Sequence, residues 1–179
     1  MNPRPVFTRV YLDTSVLIGA LHPGIPDSAA CASFVEMLLQ SRTRVYVSLA
    51  TRLDFGRAVR RLATKPDKLL PDLRSTYALD HWGTNPLVRH RWLTRELKLL
   101  DTLLGQFASA TEIPLTHDLW RGSLDVMGAD GLDATDALHV AAARAYGIPI
   151  LATCDRDFRP IADPMIHLVR DSDQSPAQN

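Results

Sequence analysis

Three aspartates stand at the ends of predicted structural elements, where a side chain can take part in chemistry. Asp13 directly follows an apolar run that ends at Leu12, and Asp155 comes soon after a second apolar run at residues 148–152. Asp136 lies in the first turn of a helix whose alanine-rich stripe recurs at helical spacing. Three carboxylates in one small space repel one another unless protons or a cation intervene. This pattern therefore favours a site for a hard divalent ion.

Whether these carboxylates meet depends on the strands that carry two of them. Residues 131–158 predict a helix, a turn and a buried strand, and residues 6–12 predict an earlier strand that also runs into an aspartate and a helix. In an open parallel sheet, the ligand crevice lies beyond the carboxyl ends of the strands, where strand order reverses. If the two strands are neighbours, Asp13 and Asp155 lie side by side in that crevice. The first turn of the helix that carries Asp136 can then reach the same place.

The order of the predicted elements indicates a three-layer α/β sandwich. Five strands are predicted between helices, at residues 6–12, 44–48, 113–116, 148–152 and 165–169. The third of these is expected at an edge of the sheet and is followed by a helix capped by Asp118. Thr14 or Ser15 is predicted to cap the first helix, although Asp13 could cap it with its own carboxylate. A single domain is expected over residues 1–170, with a polar tail at 171–179.

Two segments of the chain resemble the PIN domain family. They are LDTSVLI at residues 12–18 and DALHVAAARAYGIPILATCDRDF at residues 136–158. In this order and context they are most similar to the ribonuclease toxins of the VapC type. The resemblance runs from Tyr11 to about Ile161 and is weakest in its middle third. It implies an α/β/α sandwich around a central, mostly parallel five-stranded sheet.

The resemblance also implies roles for residues at matching positions. It makes Asp13, Asp136 and Asp155 metal ligands, and it places Asp54 at a catalytic position where the family normally carries Glu. The implied activity is that of a Mg²⁺- or Mn²⁺-dependent endoribonuclease, in which the ion lowers the pKa of a bound water that attacks phosphorus. Besides RNA, the implied partners are a small antitoxin protein and a second copy of the chain.

Further residues are predicted to support the carboxylates: Ser15, Asp133, Thr153 and Asp157. The Ser15 hydroxyl is expected to hold the Asp13 carboxylate or a metal-bound water. Asp133 and Asp136 imitate a capping box, so Asp133 is interpreted first as a helix cap and second as an auxiliary site residue. Asp157 is interpreted as a supporting residue or as the cap of a short turn.

Two arginines are candidates for binding RNA phosphate. A helix predicted to end near residue 64 carries Asp54, Arg57 and Arg61 on one face. One interpretation is an Asp–Arg pair on a solvated helix surface, worth a few tenths of a kcal/mol. The other is a carboxylate of the metal site flanked by guanidinium groups, which offer bidentate donors to phosphate.

Charge is unevenly distributed although the formal net charge is zero. Residues 42–74 contain nine Lys or Arg against three Asp or Glu, whereas residues 101–179 contain five against twelve. A basic middle and an acidic C-terminal half are expected if one side binds phosphate and the other binds metal. Two solvated faces of opposite charge would give the same counts.

The cysteine count and the hydropathy indicate a cytoplasmic protein. Cys31 and Cys154 are the two cysteines, and neither belongs to a C-x-x-C pair, which favours a reducing compartment. The N-terminal residues lack the apolar core of a signal peptide, and no later stretch is expected to span a membrane. Cys154 lacks a histidine nearby in sequence, which argues against a nucleophile. His139 is interpreted as a packed or hydrogen-bonded helix residue.

Two alternative functions differ in what the chain must contain. A receiver domain is phosphorylated on an aspartate at a strand end, but it also needs a lysine at a later strand end. The three lysines here, Lys65, Lys68 and Lys98, all precede the last two predicted strands. A PIN-fold module that binds RNA or protein without cleaving remains open because Asp54 stands where the family carries Glu.

Overall fold

The computed structural model describes residues 7–65, 69–158 and 166–170 of the 179-residue chain. Its five strands are β1 (Arg9–Leu12), β2 (Arg44–Ser48), β3 (Ala110–Ile113), β4 (Leu151–Thr153) and β5 (Ile166–Leu168). Its α-helices are α1 (Thr14–Leu21), α2 (Ser28–Gln40), α3 (Leu49–Thr64), α4 (Pro71–Thr76), α5 (Pro86–Gln106), α6 (His117–Asp130) and α7 (Ala134–Ala145). The predicted polar tail at 171–179 lies outside the described residues.

The strands form one sheet in the order β3-β2-β1-β4-β5, and all four neighbouring pairs are parallel. From β1 the chain adds β2 and β3 on one side and then β4 and β5 on the other, so strand order reverses between β1 and β4. In the register of this pair, Tyr11 lies opposite Leu151 and Leu12 lies opposite Ala152. The two aspartate-bearing strands are therefore neighbours, which was the condition for Asp13 and Asp155 to meet, and they lie where such sheets bind ligands.

Helices cover both faces of the sheet. Along β1, Val10 and Leu12 belong to one buried cluster and Tyr11 belongs to another, as the alternation of side chains along a strand requires. The first cluster includes buried residues of α1, α2, α3 and α5, and the second includes buried residues of α6 and α7. This confirms the α/β/α sandwich. In the described part of the chain, no helix is both long and apolar enough to cross a membrane.

The helix caps agree with the sequence in part. The sequence offers Ser48 or Thr51 as the start of α3, and Ser48 is its N-cap, in a capping box with Thr51. The prediction of Thr14 or Ser15 as the cap of α1 is wrong: Asp13 is the N-cap, and its carboxylate accepts the N–H groups of those two residues. The Asp13 carboxylate accepts hydrogen bonds only, and from one residue earlier it reaches the N–H groups of both Thr14 and Ser15. It therefore caps the helix in place of their hydroxyls.

The segment around β3 begins earlier than the sequence predicted. The edge strand is Ala110–Ile113 and not 113–116, because its register with β2 ends where Ser48 pairs with Ile113. Pro114 follows and has no N–H to continue the ladder. Thr116 then caps α6 by accepting the Leu119 N–H, so the prediction of Asp118 as cap is wrong. Asp118 lies in the first turn of α6, where its charge suits the helix dipole.

Gly19 marks a close approach between α1 and α2. A Cβ at this position would lie 2.5 Å from the Sγ of Cys31 and 2.8 Å from its Cβ. We expect Gly19→Ala to lower the free energy of unfolding by roughly 1–3 kcal/mol, since a close-packed interior does not accept an added carbon. Gly56→Ala in α3 is the matched control. It meets no atom within 4 Å and should raise stability by about 0.5–1 kcal/mol through helix propensity. Urea unfolding of both variants measures this, and equal effects would contradict the close approach.

Candidate functional site

A polar cleft lies beyond the carboxyl ends of β1 and β4. Its volume is about 650 Å³, and helices α3 and α7 supply most of its walls. Its acidic lining residues are Asp54, Asp133, Asp136, Asp155 and Asp157, and its basic lining residues are Arg57, Arg60 and Arg61. The cleft therefore brings together residues from distant parts of the chain that the sequence had singled out separately.

Asp13 is held firmly beside this cleft. Only 4% of its surface is exposed, and the Thr14 N–H donates to its Oδ1 at 2.6 Å. The hydroxyls of Ser15 and Thr153 donate to its Oδ2 at 2.6 and 2.8 Å. The Ser15 oxygen also accepts the Cys154 N–H at 2.8 Å. These bonds join the end of β1 to the end of β4 and fix the orientation of the Asp13 carboxylate.

A buried hydrogen-bond network lies behind Asp13, and the sequence did not reveal it. The Tyr11 hydroxyl lies 2.7 Å from Ser48 Oγ, 3.1 Å from Thr51 Oγ1 and 2.8 Å from His139 Nδ1. His139 is fully buried, as the interpretation of a packed helix residue requires. Its Nε2 lies 3.4 Å from Asp13 Oδ1, and this nitrogen makes no hydrogen bond with any described residue. Burial strongly raises the pKa of Tyr11, so its hydroxyl stays protonated.

Asp136, Asp155 and Asp157 bring their carboxylates close together in the cleft. One oxygen from each lies within 4.8 Å of the others, close enough to share an ion. Asp157 was expected only as a supporting residue, yet it lies in this group, whereas Asp13 does not among the described residues. The Asp157 N–H donates to Asp155 Oδ1 at 2.9 Å. Asp133 caps α7 as predicted, because its Oδ1 accepts the N–H groups of Thr135 and Asp136.

The carboxylates of the cleft act on one another electrostatically. Burial raises the pKa of Asp136 to about 8, and the negative charges of Asp133, Asp13, Asp155 and Asp54 add to this effect. Burial and the charge of Asp13 also raise the pKa of Asp54. Such shifts mean that the ionised group of carboxylates is unfavourable without a compensating charge. A proton or a cation can supply that charge.

The donor set fits Mg²⁺ or Mn²⁺. In the part of the chain that the structure describes, the group that could share an ion consists of carboxylates alone. Hard cations prefer such oxygen ligands, whereas zinc sites usually contain imidazole or thiolate. The raised pKa of Asp136 agrees with a site whose charge a divalent ion would neutralise.

Arginines of α3 form one wall of the cleft. Arg57 Nη1 donates to Thr135 Oγ1 at 3.2 Å, and Arg61 Nη2 lies 3.8 Å from Asp54 Oδ1. The Arg61 side chain is 72% exposed, so its ion pair with Asp54 is weak and leaves donors for another anion. Arg60 also lines the cleft. The sequence interpretation missed it, although its position three residues after Arg57 on a helix was the available signal.

Cys154 has a partner that the sequence did not suggest. Its Sγ lies 2.8 Å from the Sγ of Cys31, 123 residues away in sequence. The contact with Cys31 and burial strongly raise the pKa of the Cys154 thiol. Because the thiolate is the reactive form, this environment argues against Cys154 as a catalytic nucleophile.

The raised pKa of Asp136 leads to an expected pH dependence. Its folded-state pKa of about 8 exceeds the unfolded value of about 3.9. The stability that Asp136 contributes is thus fully present below about pH 4 and is lost as pH rises through the folded value. Allowing for solvent screening, the wild type in EDTA should lose roughly 1–2 kcal/mol relative to Asp136→Asn between about pH 5 and pH 8.5. Urea unfolding at several pH values measures the difference, and parallel profiles would contradict it.

The family model of the PIN domain matches residues 10–164. The match covers β2, β3, β4 and most of β1, together with the cleft and helices α1 to α7. It spans more than half of the chain, so the chain belongs to the PIN domain family. No curated protein matches the chain at the sequence level.

Solved structures with a similar fold include toxins of toxin–antitoxin systems. A toxin–antitoxin complex from Klebsiella pneumoniae aligns with a TM-score of 0.57 and 16% identity, over 90% of this chain and 98% of that chain. VapBC2 from Rickettsia felis, bound to a DNA fragment from its promoter, aligns with a TM-score of 0.54 and 13% identity, over 89% and 98%. VapC20 from Mycobacterium tuberculosis, a toxin that cleaves the sarcin-ricin loop, aligns with a TM-score of 0.54 and 15% identity, over 84% and 92%. At these identities the likeness establishes the fold.

Proposed function

We propose that this protein is a divalent-metal-dependent endoribonuclease that cleaves RNA phosphodiester bonds. The observation that carries the proposal is the convergence of Asp54, Asp136 and Asp155 on one cleft beside Asp13, which arginines of α3 also line. Membership in the PIN family and the fold shared with VapC20 agree with a nuclease.

Some residues in and beside the cleft are proposed to bind the ion, and others position these ligands. Asp13, Asp136 and Asp155 are the proposed ligands, and Asp157 lies close enough to Asp136 and Asp155 to share an ion with them. Bound Mg²⁺ or Mn²⁺ would supply an activated water and neutralise charge on the phosphate. Ser15 and Thr153 orient the Asp13 carboxylate through their hydroxyls. No nucleophile from the protein is required.

Asp54 acts at a greater distance than the Glu of the family would. Its side chain is shorter by one methylene, so we assign it contact through a bridging water. Its raised pKa and its position in the cleft place it within the electrostatic influence of Asp13. The same residue supports the alternative function, a PIN-fold module that binds RNA or protein without cleaving it.

The proposed partners follow from the family and the fold. The Klebsiella pneumoniae structure is a toxin–antitoxin complex, which supports a role as the toxin of such a pair. A small antitoxin protein that blocks the cleft, a homodimer and a cytoplasmic location are parts of this proposal. A small protein encoded beside this gene would be the first partner to test.

Cleavage of a mixed RNA pool distinguishes the nuclease from the binding module. Protein freed of contaminating nuclease is incubated with the RNA in Mg²⁺, in Mn²⁺ and in EDTA. We expect cleavage with either ion and none in EDTA, because in the proposed mechanism the ion supplies the activated water. Cleavage at full rate in EDTA would contradict the metal mechanism. RNA binding without cleavage in all three conditions would favour the module.

Arg57 and Arg61 are expected to bind phosphate without selecting sequence. Replacing both by Ala should weaken RNA binding and lower the slope of log affinity against log salt by roughly one to two units. Arg91→Ala with Arg121→Ala is the matched control, since both arginines are exposed on other helices. Fluorescence anisotropy at several salt concentrations measures the slopes. An unchanged slope would mean that Arg57 and Arg61 do not bind phosphate and belong to a solvated helix face.

A further inference from the structure

The two cysteines of the chain meet near the end of β4, where Cys154 directly precedes Asp155 of the cleft. Cys31 belongs to the first turns of α2, Cys154 follows β4, and their Sγ atoms lie 2.8 Å apart. Cys31 is fully buried, whereas Cys154 is partly exposed. Cys154 is therefore the cysteine of the pair that is partly open to solvent, and Cys31 is enclosed.

Hydrogen bonds of the backbone fix the position of each cysteine. The Cys31 N–H donates to the Asp27 carbonyl at 2.9 Å, and Gly19 leaves just enough room in α1 for the Cys31 side chain. The Cys154 N–H donates to Ser15 Oγ at 2.8 Å. Both cysteines are thus anchored through their own backbones, which gives each thiol a high effective concentration toward the other.

We propose that Cys31 and Cys154 form a reversible disulfide and so constitute a redox-modification site beside the cleft. A disulfide bond of about 2.05 Å requires the two sulfurs to come about 0.8 Å closer than they are. Disulfides of proteins in reducing compartments are usually transient and redox-sensing. This site does not depend on the proposed nuclease function.

The oxidant is a low-molecular-weight disulfide such as oxidised glutathione. The Cys154 thiol gives up its proton and attacks one of the two sulfurs, which forms a mixed disulfide. The glutathione thiolate that is released takes up that proton. The Cys31 thiolate then attacks the Cys154 sulfur and releases the second glutathione. The protein loses two electrons and two protons, and one oxidised glutathione becomes two reduced molecules. An excess of reduced glutathione reverses both steps.

The bond would tie α2 to the strand end that carries the cleft. Thr153, which donates to Asp13, precedes Cys154, and Asp155 follows it. The two cysteines are 123 residues apart in sequence. A crosslink that closes so long a loop restricts the unfolded chain more than one that closes a short loop. The oxidised form is therefore expected to resist heat better than the reduced form.

The test uses the wild-type chain, whose two cysteines make the thiol count unambiguous. The protein is incubated anaerobically in mixtures of reduced and oxidised glutathione until its redox state reaches equilibrium. The samples are then quenched with acid, and their free thiols are alkylated. Intact-mass spectrometry and a non-reducing gel identify the products. We expect both thiols to disappear together, a monomeric product lighter by two hydrogens, and a melting temperature higher by roughly 5–15 °C, all reversed by dithiothreitol.

Two variants separate the paired site from ordinary thiol reactivity. Cys31→Ser should stop at a stable glutathione adduct on Cys154, and Cys154→Ser should leave the buried Cys31 unmodified. Neither should gain thermal stability under oxidising conditions. Free thiols that persist in the wild type at the highest oxidised fraction, a lasting glutathione adduct or a crosslinked dimer would each overturn the proposal. None of these outcomes affects the metal site, since neither sulfur is a proposed ligand.

Discussion

Asp136→Asn is expected to be at least as stable as the wild type in EDTA at pH 7 and less stable than it in saturating Mg²⁺. Without metal at pH 7, folding requires Asp136, whose pKa is raised to about 8, either to take up a proton or to add to the negative charge of the cleft. An asparagine does neither, so the folded variant avoids this cost. With Mg²⁺ at about a hundred times its dissociation constant, the folded wild type gains roughly 2.7 kcal/mol. The variant lacks a proposed ligand and should gain much less.

Thermal melts of both proteins with Mg²⁺ and with EDTA give the four numbers that this comparison needs. Asp125→Asn is the matched control, because it removes a carboxylate from the exposed surface of α6. It should follow the wild type in both conditions. A variant at Asp136 that is less stable in EDTA and gains as much from Mg²⁺ would show that Asp136 serves the helix dipole of α7, where charge is worth about 0.3–1 kcal/mol.

The second large effect is expected on catalysis. Asp136→Asn and Asp155→Asn should each slow RNA cleavage at saturating substrate by at least about a hundredfold, equivalent to roughly 2.7 kcal/mol of transition-state stabilisation. Both side chains belong to the group whose oxygens can share an ion. RNA binding should change little, because the arginines of α3 are untouched.

Single-turnover cleavage and anisotropy on the same preparations measure the two quantities separately. Asp125→Asn again serves as the control and should cleave at the wild-type rate. Equal losses of cleavage and binding would place these aspartates in RNA binding, and full activity in both variants would remove them from the site. Asp54→Glu is informative in the same assay: restoring the residue normal for the family should maintain or raise the rate if Asp54 reaches the ion through water.

The parts of the site that follow from local sequence were predicted correctly in placement. Asp13 and Asp155 each follow a buried strand, and parallel strands direct all such positions to one edge of a sheet. Asp133 and Asp136 lie at the start of a helix that its alanine stripe and Gly147 delimit. The spacing of apolar residues, the helix caps and the order of the elements are local or topological signals. A single sequence is therefore enough to predict them.

Contacts set by tertiary packing could not be predicted in this way. Tyr11 and His139 are 128 residues apart, and the two cysteines are 123 apart. Nothing in their local patterns indicates which side chains face each other once α7 and α2 pack on the sheet. The shift of β3 to Ala110–Ile113 has the same origin, because its register is fixed by the partner strand β2. The inclusion of Asp157 in the carboxylate group depends on the turn after β4, where its N–H bonds to Asp155.

The central claim is that the carboxylates of the cleft bind a divalent ion, and a calorimetric titration of Mn²⁺ into the metal-free protein tests it most directly. Wild type and Asp125→Asn are expected to show the same saturable binding of one or two ions per chain. Asp136→Asn should bind the ion at least about tenfold more weakly, since it lacks one of the proposed carboxylate ligands. Equal affinity in Asp136→Asn, or no saturable binding in the wild type, would contradict the claim.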